Sequence, residues 1–336
     1  MPNPLRIAVL GFWHVHAADY ARDTQEHPDA ELVAVWDHDA DRGRAGAEEF
    51  GVEFAPDLAA LLARDDLDAV IVTTETSRHV DVMSRAAAAG KHLFSEKVLA
   101  PTVPEAEAIV AAADAADVRL VVSLPRLATG YVAALAKVVA AGMLGRLVYG
   151  RVRLSHDGAV PADDGPGWLP ERFFDPAAAI GGALTDLGCH PVYLVQRLLG
   201  SQPETVSATY RSVTGHVLED QAIVTVAYAD GALGVIEAGF VNEAPFSIEL
   251  GGTLGSVRYT DDHPTALVAV GAAFGGEEAH ELPIAPDGPG PFAQWIEHVG
   301  DGTRADDNLA SAVELTRLVA AANRAAAEGR TIPYRT

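Results

Sequence analysis

The sequence predicts an α/β chain of two domains, the first built on a parallel sheet and the second on an open, mostly antiparallel sheet. Three observations support this fold class. The chain has 336 residues, which suits two hydrophobic cores better than one. Strand-like and helix-like segments alternate in the first part of the chain, whereas several strand-like runs follow one another in the second. We therefore predict domains at residues 1–125 and 126–336.

The first domain is predicted from short apolar runs separated by alanine-rich stretches with helical spacing. The strand-like runs cover residues 5–10, 31–36, 68–73, 92–95 and 119–123, and the helical stretches cover 39–50, 77–89 and 103–116. Nearly continuous apolar runs are typical of strands that are buried on both faces of a sheet. Strand and helix alternating at this interval predict a parallel sheet with crossover helices.

The second domain is predicted from a change of pattern after residue 125. Its segments are a helix over 131–141, a strand over 146–155, a proline- and glycine-rich loop at 161–170 and a helix over 183–199. Strand-like runs then follow in series at 204–212, 220–228, 233–241, 246–250, 254–260 and 264–270, with a loop at 271–289 and helices over 290–300 and 306–327. The C-terminal helix is expected to pack back on the first domain.

Charge and composition exclude several classes of partner. The formal net charge of −23 would repel nucleic-acid phosphates and anionic lipids, so neither is an expected partner. No stretch is apolar for long enough to span a bilayer, and the short apolar run near the N-terminus has no cleavage pattern behind it. The single cysteine, Cys189, fits a reducing compartment. We expect a soluble, cytoplasmic protein.

The first strand-like run ends in GFWHVH, where a dinucleotide-binding fingerprint would carry three glycines. Only Gly11 is present, because Trp13 and His16 occupy the other two positions. Asp37 ends the second run, where a carboxylate can accept hydrogen bonds from both ribose hydroxyls of an adenosine and would repel a 2′-phosphate. This favours NAD over NADP. The alternative is that Asp37 caps the helix that begins near Ala40.

Histidines in the same region raise the question of a metal site. His14, His16, His38 and Asp39 are metal-ligand types, and His-x-His spacing can bind zinc, but no closed ligand set is visible. We therefore predict no metal. His14 and His16 are interpreted as polar neighbours of a cofactor pyrophosphate at the start of the first helix.

Three spaced motifs resemble those of one group of oxidoreductases, the Gfo/Idh/MocA family, named after glucose-fructose oxidoreductase and inositol dehydrogenase. The family's AGKHV..EKP.A signature is matched by AAAAGKHLFSEKVLA at 86–100. Its strand and loop that end in a histidine are matched by LDAVIVTTETSRHVDVM at 67–83, with His79 as the histidine. Its GG...D.G.H...L...LG helix is matched by GGALTDLGCHPVYLVQRLLG at 181–200. The resemblance runs through nearly the whole chain in the same order.

This resemblance implies a fold, an activity and an assembly. Members of the family have a Rossmann domain followed by an α/β domain with an open, mostly antiparallel sheet, which agrees with the pattern of this chain. Members typically oxidise or reduce a hydroxyl or carbonyl group of a sugar, cyclitol or related polyol, here with NAD. Many are dimers or tetramers that pack through the exposed sheet face, so a homodimer or homotetramer is expected.

The resemblance also implies catalytic residues. Lys97 matches the lysine of the EKP motif and follows the end of a parallel strand, where open α/β sheets bind ligands. It is expected to contact the reacting hydroxyl group. Asp186 and His190 match the family's aspartate and histidine, and their i, i+4 spacing predicts that they share one helix face. His190 is assigned as general acid/base, and Asp186 as a substrate-hydroxyl ligand that also biases His190.

Further residues are assigned to binding. The cofactor-binding set is predicted to comprise Gly11, Trp13, His14, Asp37, Thr73, Thr74, Glu75, Glu96 and Lys97. The substrate-binding set is predicted to comprise Arg126, Trp168, Phe174 and Asp186. The aromatic pair would stack on a sugar face, and the alternative for both is packing. His79 is interpreted as a helix-start residue without a chemical part.

One position departs from the family pattern next to the catalytic lysine. Val98 stands where a proline is expected after Lys97. A proline adopts a cis peptide bond at a much lower cost than a valine does. The sequence therefore leaves open whether the Lys97–Val98 bond is cis.

Two other functions are compatible with the sequence. Some relatives of this fold use bound NAD for transient oxidation during glycoside cleavage, without net turnover of the cofactor. A non-catalytic sensor of cofactor or sugar is the second alternative, motivated by the glycine-poor loop and by Val98. The presence of Lys97, Asp186 and His190 together favours an enzyme, since a pure binder has no evident need of all three.

Overall fold

Two sheets organise the chain, and the computed structural model describes residues 4–161 and 165–335. The elements up to residue 122 are β1 (Leu5–Leu10), α1 (Ala17–Glu26), β2 (Ala30–Trp36), α2 (Ala40–Phe50), β3 (Glu53–Phe54), α3 (Leu58–Leu62), β4 (Ala69–Val72), α4 (His79–Ala88), β5 (His92–Ser95), α5 (Val103–Ala115) and β6 (Leu120–Val122). They are followed by α6 (Gly130–Ala140), β7 (Leu147–Ser155), α7 (Pro176–Ala179), α8 (Ala183–Asp186), α9 (Cys189–Leu199), β8 (Pro203–Arg211), β9 (Gln221–Tyr228), β10 (Leu233–Gly239), β11 (Ala244–Gly252), β12 (Gly255–Thr260), β13 (Ala266–Gly271), β14 (Gly276–Pro283), α10 (Pro291–Asp301), α11 (Asp306–Glu328) and β15 (Ile332–Pro333).

The first compact unit is built on six parallel strands in the order β3-β2-β1-β4-β5-β6. Every residue of β4 is buried, as expected of a strand covered on both faces. The chain order reverses between β1 and β4, so the carboxyl ends of these strands open the crevice in which doubly wound sheets bind ligands. The predicted parallel sheet is confirmed.

This unit comprises the residues up to Leu124 and also Pro289–Thr316, which come from near the end of the chain. Trp295 of α10 is fully buried, and its ring centroid lies 5.6 Å from that of Phe94 in β5. Its indole N–H donates to the carbonyl of Arg119 at 3.4 Å. Truncating a buried tryptophan typically costs about 3–5 kcal/mol. Helix α10 is therefore integral to the core of the first unit.

The second unit, Pro125–Gly288 and Arg317–Thr336, is built on nine strands in the order β14-β13-β12-β11-β7-β10-β9-β8-β15. All neighbouring strands are antiparallel except β7 and β10, which pair in parallel. Helix α9 covers one face, where a Cβ at Gly234 would lie only 2.8 Å from Val195. The predicted open, mostly antiparallel sheet is confirmed.

The predicted loop over 271–289 is wrong in part, because it contains strand β14. Most side chains of this strand are exposed, and Glu277, Glu278 and Glu281 give it no apolar alternation. Within residues 4–161 and 165–335 it pairs only with β13, and it ends the sheet. Charged side chains on an edge strand discourage pairing with another chain, and they also remove the period-2 signal by which a strand is recognised.

The predicted single helix over 183–199 is also wrong, because the chain forms two helices separated by Leu187 and Gly188. Pro191 has no backbone N–H, and its ring conflicts with the carbonyl of the residue four positions earlier. Proline is tolerated in the first turn of a helix, which explains why a new helix begins at Cys189. Asp186 therefore ends α8, while His190 lies in the first turn of α9.

The proline- and glycine-rich loop at 161–170 is described except for residues 162–164, which lie outside the described part of the chain. No helix among the described residues is long and apolar enough to cross a membrane.

Candidate active site

The carboxyl ends of β1 and β4 bring several of the predicted cofactor residues together. Gly11 has a φ of +93°, and a Cβ there would lie 2.8 Å from the Thr74 side chain and 2.9 Å from its backbone, so only glycine fits. The His14 N–H donates to the Thr73 carbonyl at 3.1 Å, and the Thr73 hydroxyl donates to the Gly11 carbonyl. The loop after β1 is therefore fastened to the end of β4.

Two buried polar atoms at this edge fit a bound dinucleotide. Thr74 Oγ1 and Glu75 Oε2 have no hydrogen-bond partner among the described residues. Buried polar groups in folded proteins are almost always hydrogen-bonded, so each atom points to a ligand group that completes it. Helix α1 begins at Ala17, directly after the loop, with no side chain capping its first turn. Such a terminus favours a phosphate, and the buried oxygens suit ribose hydroxyl groups.

The carboxylate of Asp37 is already engaged within the protein. It accepts the backbone N–H of Phe12 at 2.7 Å and that of Asp39 at 2.9 Å, while the Arg42 guanidinium binds both of its oxygens at 2.7 Å. The interpretation of Asp37 as a helix cap is wrong, because Asp39 accepts the first N–H groups of α2. A ribose approaching Asp37 would therefore meet a carboxylate–guanidinium pair.

Lys97 follows β5 and is almost entirely buried. Its Nζ lies 3.4 Å from Nε2 of His14 and 3.7 Å from Oε1 of Glu96. The Lys97–Val98 peptide bond is cis. Three residues predicted separately for the cofactor set therefore form one cluster in the first unit, with the lysine amine between an imidazole and a carboxylate. Trp13, which precedes His14 in the sequence, is also buried.

Glu96 connects Lys97 to a network of buried groups. Its Oε2 accepts the Tyr20 hydroxyl at 2.5 Å and lies 3.3 Å from Nδ1 of His16. Burial alone would raise the pKa of Glu96, but His14, His16 and Lys97 outweigh it and hold that pKa well below its usual range. Burial and the neighbouring carboxylate raise the pKa of Tyr20. Glu96 is therefore an anionic carboxylate that accepts a hydrogen bond from the neutral Tyr20 hydroxyl.

Among the described residues, one group of side chains has its potential metal-ligand atoms within 4.8 Å of one another: His14, His16 and Glu96. The wider set considered from the sequence is not brought together, because His38 and Asp39 lie outside this group. The Lys97 amine lies within 3.7 Å of ligand atoms on two of the three residues, so the lysine side chain already occupies the space where an ion would bind. We therefore keep the prediction that no metal binds here.

His79 fastens the segment that carries Lys97. His79 begins α4, as predicted. Its ring also joins the segments that follow β4 and β5, because Nδ1 lies 3.1 Å from the Leu99 carbonyl and Nε2 lies 3.2 Å from the Thr74 carbonyl. The side chain is fully buried, and burial lowers its pKa. The histidine of this motif therefore positions the backbone on both sides of the crevice, a role that the sequence analysis missed.

In the second unit, the two glycines before α8 are needed for close packing. A Cβ at Gly181 would lie 2.0 Å from the Thr185 hydroxyl, and one at Gly182 would lie 2.0 Å from the Glu219 carbonyl. The Glu219 carboxylate accepts the N–H groups of Gly182 and Leu184 at 3.1–3.2 Å. Burial raises the pKa of Glu219. The loop before β9 thus fixes the helix that ends in Asp186, which is half-buried.

His190 is buried, and it is hydrogen-bonded to a tyrosine. Nδ1 of His190 lies 2.8 Å from the hydroxyl of Tyr193, and that hydroxyl accepts the backbone N–H of Arg126 at 3.2 Å. Tyr193 therefore links the His190 ring to the backbone that follows β6. Burial raises the pKa of Tyr193, which keeps it protonated. Tyr193 was not predicted as a site residue, although it stands three residues after the histidine.

Two of the predicted substrate residues are engaged by other side chains. The Arg126 guanidinium lies 4.1 Å from the ring centroid of Phe246 and donates to the Tyr131 hydroxyl at 3.1 Å. Phe174 is buried and stacks on His216 with ring centroids 3.7 Å apart. Packing, the alternative interpretation of Phe174, therefore describes its place in the structure.

Trp168 differs from Phe174, because its side chain is 60% exposed. Its indole N–H donates to Oδ1 of Asp157 at 3.2 Å. Gly158 lies so close that a Cβ there would be 2.8 Å from the indole, and a Cβ at Gly167 would be 2.1 Å from the Gly158 carbonyl. An exposed aromatic face is thus held in a fixed place.

The first unit has a dinucleotide crevice with a buried lysine. The second unit has an aspartate and a histidine on consecutive helices. Each of these features is typical of oxidoreductases of the two-domain α/β class. Comparison with known families agrees. Residues 5–124 match the family model described as oxidoreductase family, NAD-binding Rossmann fold, and residues 132–258 match the GFO/IDH/MocA C-terminal domain. The chain belongs to the Gfo/Idh/MocA family of NAD-binding oxidoreductases.

Individual relatives are similar at moderate identity. The chain is 29% identical over 288 residues to scyllo-inositol 2-dehydrogenase (NAD(+)) of Bacillus subtilis strain 168, covering 82% of this chain and 80% of that protein. The structure of GenD2 from gentamicin A biosynthesis in complex with NAD is 26% identical, with a TM-score of 0.81 over 98% of this chain and 96% of that one. Levoglucosan dehydrogenase in complex with NADH and levoglucosan shares the fold, with a TM-score of 0.84 at 19% identity over 99% of this chain and 100% of that one.

Proposed function

We propose that this protein is an NAD-dependent dehydrogenase or reductase that interconverts a secondary hydroxyl group and a carbonyl group on a cyclitol, sugar or related polyol. The observation that carries the proposal is the buried Lys97 amine, held between His14 and Glu96 at the end of β5. A lysine removed from water is suited to proton transfer with a substrate hydroxyl. Bound NAD supplies the hydride acceptor or donor.

The remaining catalytic roles follow from the hydrogen bonds in the second unit. Neutral His190, with its proton on Nε2, donates a hydrogen bond to a substrate oxygen, and Asp186 binds a further hydroxyl group. This proposal replaces the general acid/base role assigned to His190 from the sequence, because we assign the proton between His190 Nδ1 and the Tyr193 hydroxyl to the tyrosine. Lys97 is then the proton acceptor in the oxidation direction. Trp168 is proposed to stack on the apolar face of the substrate ring.

Relatives support a substrate rich in hydroxyl groups. The relative from Bacillus subtilis is named for scyllo-inositol, and a relative from Paraburkholderia graminis, 28% identical over 243 residues, is named for D-apiose. Cyclic and branched polyols both present several hydroxyl groups on a compact carbon frame. A carboxylate such as that of Asp186 and an aromatic face such as that of Trp168 suit this chemistry.

The test is turnover with a panel of polyols. Purified protein with NAD is mixed with inositol isomers, D-apiose and levoglucosan, and formation of NADH is followed by its absorbance while the oxidised product is identified by mass spectrometry. We expect NADH and a product two hydrogens lighter with at least one member. Release of a free sugar from a glycoside without net NADH would indicate a glycosidase instead. NAD binding without turnover of any polyol would indicate a sensor.

We also propose that the protein assembles as a homodimer or homotetramer through the open face of the second unit's sheet. Alternate residues of β9 are exposed on this face. Ile223 is 53% exposed, although β9 is paired with β10 on one side and β8 on the other. Such a face is commonly covered by a second copy. Light scattering should report a dimer or tetramer, and Ile223→Glu should shift it toward monomer. A monomeric wild-type protein would contradict this assembly.

A cytoplasmic location is part of the same proposal. It rests on cysteine usage, because the sequence has one cysteine, Cys189, and therefore no intramolecular disulfide. Fractionation of the source cells with an antibody against the chain would test it, and recovery in a secreted or envelope fraction would contradict it.

A further inference from the structure

We propose that His14 is a further positioning residue of the reaction, and that its Nε2–H holds Lys97 in the free-amine form that accepts a proton. The inference rests on the proposed function, because it concerns the lysine of that same site. It assigns to His14 a role other than cofactor binding. The role follows from two contacts of one imidazole ring.

The first contact fixes the tautomer of His14. Its Nδ1 accepts the backbone N–H of His16 at 3.2 Å. A neutral imidazole has one N–H, so the proton of His14 lies on Nε2. The ring is buried, and its own backbone N–H is bonded to Thr73, which keeps the loop in place. The donor nitrogen of His14 therefore has a defined direction.

The second contact makes the lysine the nearer of two partners of that donor, since Oε1 of Glu96 lies 3.9 Å from His14 Nε2. Nε2 of His14 lies 3.4 Å from Nζ of Lys97. An ammonium group carries three donors and no acceptor, so it faces the imidazole N–H unfavourably. A free amine has a lone pair that accepts the same N–H. The contact therefore stabilises the free amine relative to the ammonium.

Glu96 has the opposite effect on the same amine. Its Oε1 lies 3.7 Å from Nζ, and an anionic carboxylate at this distance stabilises the ammonium. The anion is held by the Tyr20 hydroxyl and by His16. With His14 favouring the amine and Glu96 favouring the ammonium, Lys97 can take up a proton in oxidation and return it in reduction. The loop after β1, which lacks two of the three glycines of the dinucleotide-binding fingerprint, thus supplies the His14 N–H as a donor to Lys97.

The test compares two replacements of His14 that differ in one property. His14→Gln keeps a side-chain N–H donor of similar reach, whereas His14→Leu keeps the bulk and removes the donor. We expect His14→Leu to lower kcat by about 100-fold, the scale of proton-transfer catalysis, with the Kd for NAD within about twofold of wild type. His14→Gln should recover most of kcat. His263→Leu, at an exposed histidine of the second unit, is the matched control.

A second readout does not depend on turnover. The chain has three lysines, Lys91, Lys97 and Lys137, so trace acylation followed by peptide mass analysis reports each amine separately. Only the free amine reacts. At one fixed pH and without substrate, His14→Leu should slow acylation of Lys97 several-fold relative to the exposed Lys137, and His14→Gln should slow it less. Equal acylation of Lys97 in both variants would overturn the proposal.

The tautomer can be observed directly in the wild-type protein. Nitrogen-labelled histidine, with the His14 resonances identified by their loss in His14→Gln, should show a protonated Nε2 and an unprotonated Nδ1. A proton on Nδ1 would overturn the proposal, as would stoichiometric zinc that disappears from the purified protein on mutation of His14. If His14→Leu does not fold, His14→Asn replaces it, because asparagine is too short to reach Nζ.

The outcomes separate this inference from the proposed function. If no polyol is turned over by wild-type protein, the proposed function fails, while acylation and tautomer still decide the role of His14. If polyols are turned over and His14→Leu weakens NAD binding with kcat unchanged at saturating NAD, His14 is a cofactor ligand and the positioning role is wrong.

Discussion

Two of the histidines assigned to the reaction have a hydrogen-bond partner at Nδ1. That partner is the Tyr193 hydroxyl for His190 and the His16 backbone N–H for His14. Because a backbone N–H can only donate, neutral His14 carries its proton on Nε2, and we propose the same tautomer for His190. The sequence shows that histidines are present, and the family motif indicates which one matters, but neither contains the partner at Nδ1. Residue roles could therefore be predicted from the motif, whereas the direction of proton donation required the fold.

Tyr193→Phe tests the orientation of His190. The change removes the phenolic O–H at Nδ1 and leaves the Arg126 N–H without its acceptor. We expect about a tenfold lower kcat, and a loss of about 1–2 kcal/mol in the free energy of unfolding, measured by urea titration. Tyr228→Phe is the matched control, because the Tyr228 hydroxyl is buried without a hydrogen-bond partner among the described residues. Equal effects of the two changes would contradict the role of Tyr193.

Asp37→Ser tests the discrimination between cofactors. The Asp37 carboxylate now neutralises Arg42, and its loss would leave the guanidinium available to a 2′-phosphate. We expect the ratio of kcat/KM for NADP to that for NAD to rise at least about tenfold, since one attractive charge replaces one repulsive charge. The ratio is measured with the same polyol for both cofactors. An unchanged ratio would show that the Asp37–Arg42 pair does not face the ribose.

At the scale of elements, periodicity predicted the segments that are buried and missed those that are not. Strands β1 and β5 begin and end where the apolar runs predict, because a strand buried on both faces is apolar throughout. Strand β14 was missed because its side chains are charged and exposed. The break between α8 and α9 was also missed, although Pro191 signalled it in the sequence.

The edge of the first unit's sheet offers a test at this scale. Strand β6 ends the sheet, and the Asn308 side chain pairs with both backbone groups of Val122, accepting its N–H at 2.8 Å and donating to its carbonyl at 2.9 Å. Asn308 thus takes the place of a further strand. Asn308→Ala should lower the free energy of unfolding by about 2–3 kcal/mol, since two buried groups lose their partner.

Urea titration of Asn308→Ala beside Asp307→Ala, at an exposed neighbour in the same helical turn, measures this effect. The control should stay within about 0.5 kcal/mol of wild type. Similar losses in both variants would mean that helix content, rather than the sheet edge, is responsible.

At the scale of the whole molecule, the first unit is assembled from two distant parts of the chain. Periodicity over 290–300 predicts a helix, but it does not indicate which core that helix completes. The packing of Trp295 against Phe94 in the structure shows that this helix completes the core of the first unit. Similarly, the net charge of −23 disfavours anionic partners in general. Binding of an anionic dinucleotide then depends on local donors, such as the start of α1, that composition does not reveal.

Stability of the whole molecule should depend on pH through His79. Burial lowers the pKa of His79 in the folded state, so the unfolded chain binds more protons as the pH falls below about 6.5. The His79 contribution to stability is therefore present above that pH and is lost as the pH decreases, with a slope of up to about 1.4 kcal/mol per pH unit.

The difference between wild type and His79→Gln isolates this contribution, because the other titrating groups are shared. Urea titrations between about pH 5 and 8 should show the wild-type free energy of unfolding falling more steeply toward acid than that of the variant. Parallel curves would show that His79 keeps an ordinary pKa in the folded protein.

Proton acceptance by Lys97 is the central claim, and its most direct test is a single-turnover measurement with Lys97→Met. Methionine keeps most of the buried bulk and removes the amine. NAD-saturated enzyme is mixed with the polyol that wild-type protein turns over, and the first formation of NADH is recorded. We predict a rate lower by about 10³-fold or more, within the range of general acid–base catalysis, with NAD affinity retained. NADH formation at the wild-type rate in Lys97→Met would contradict the account.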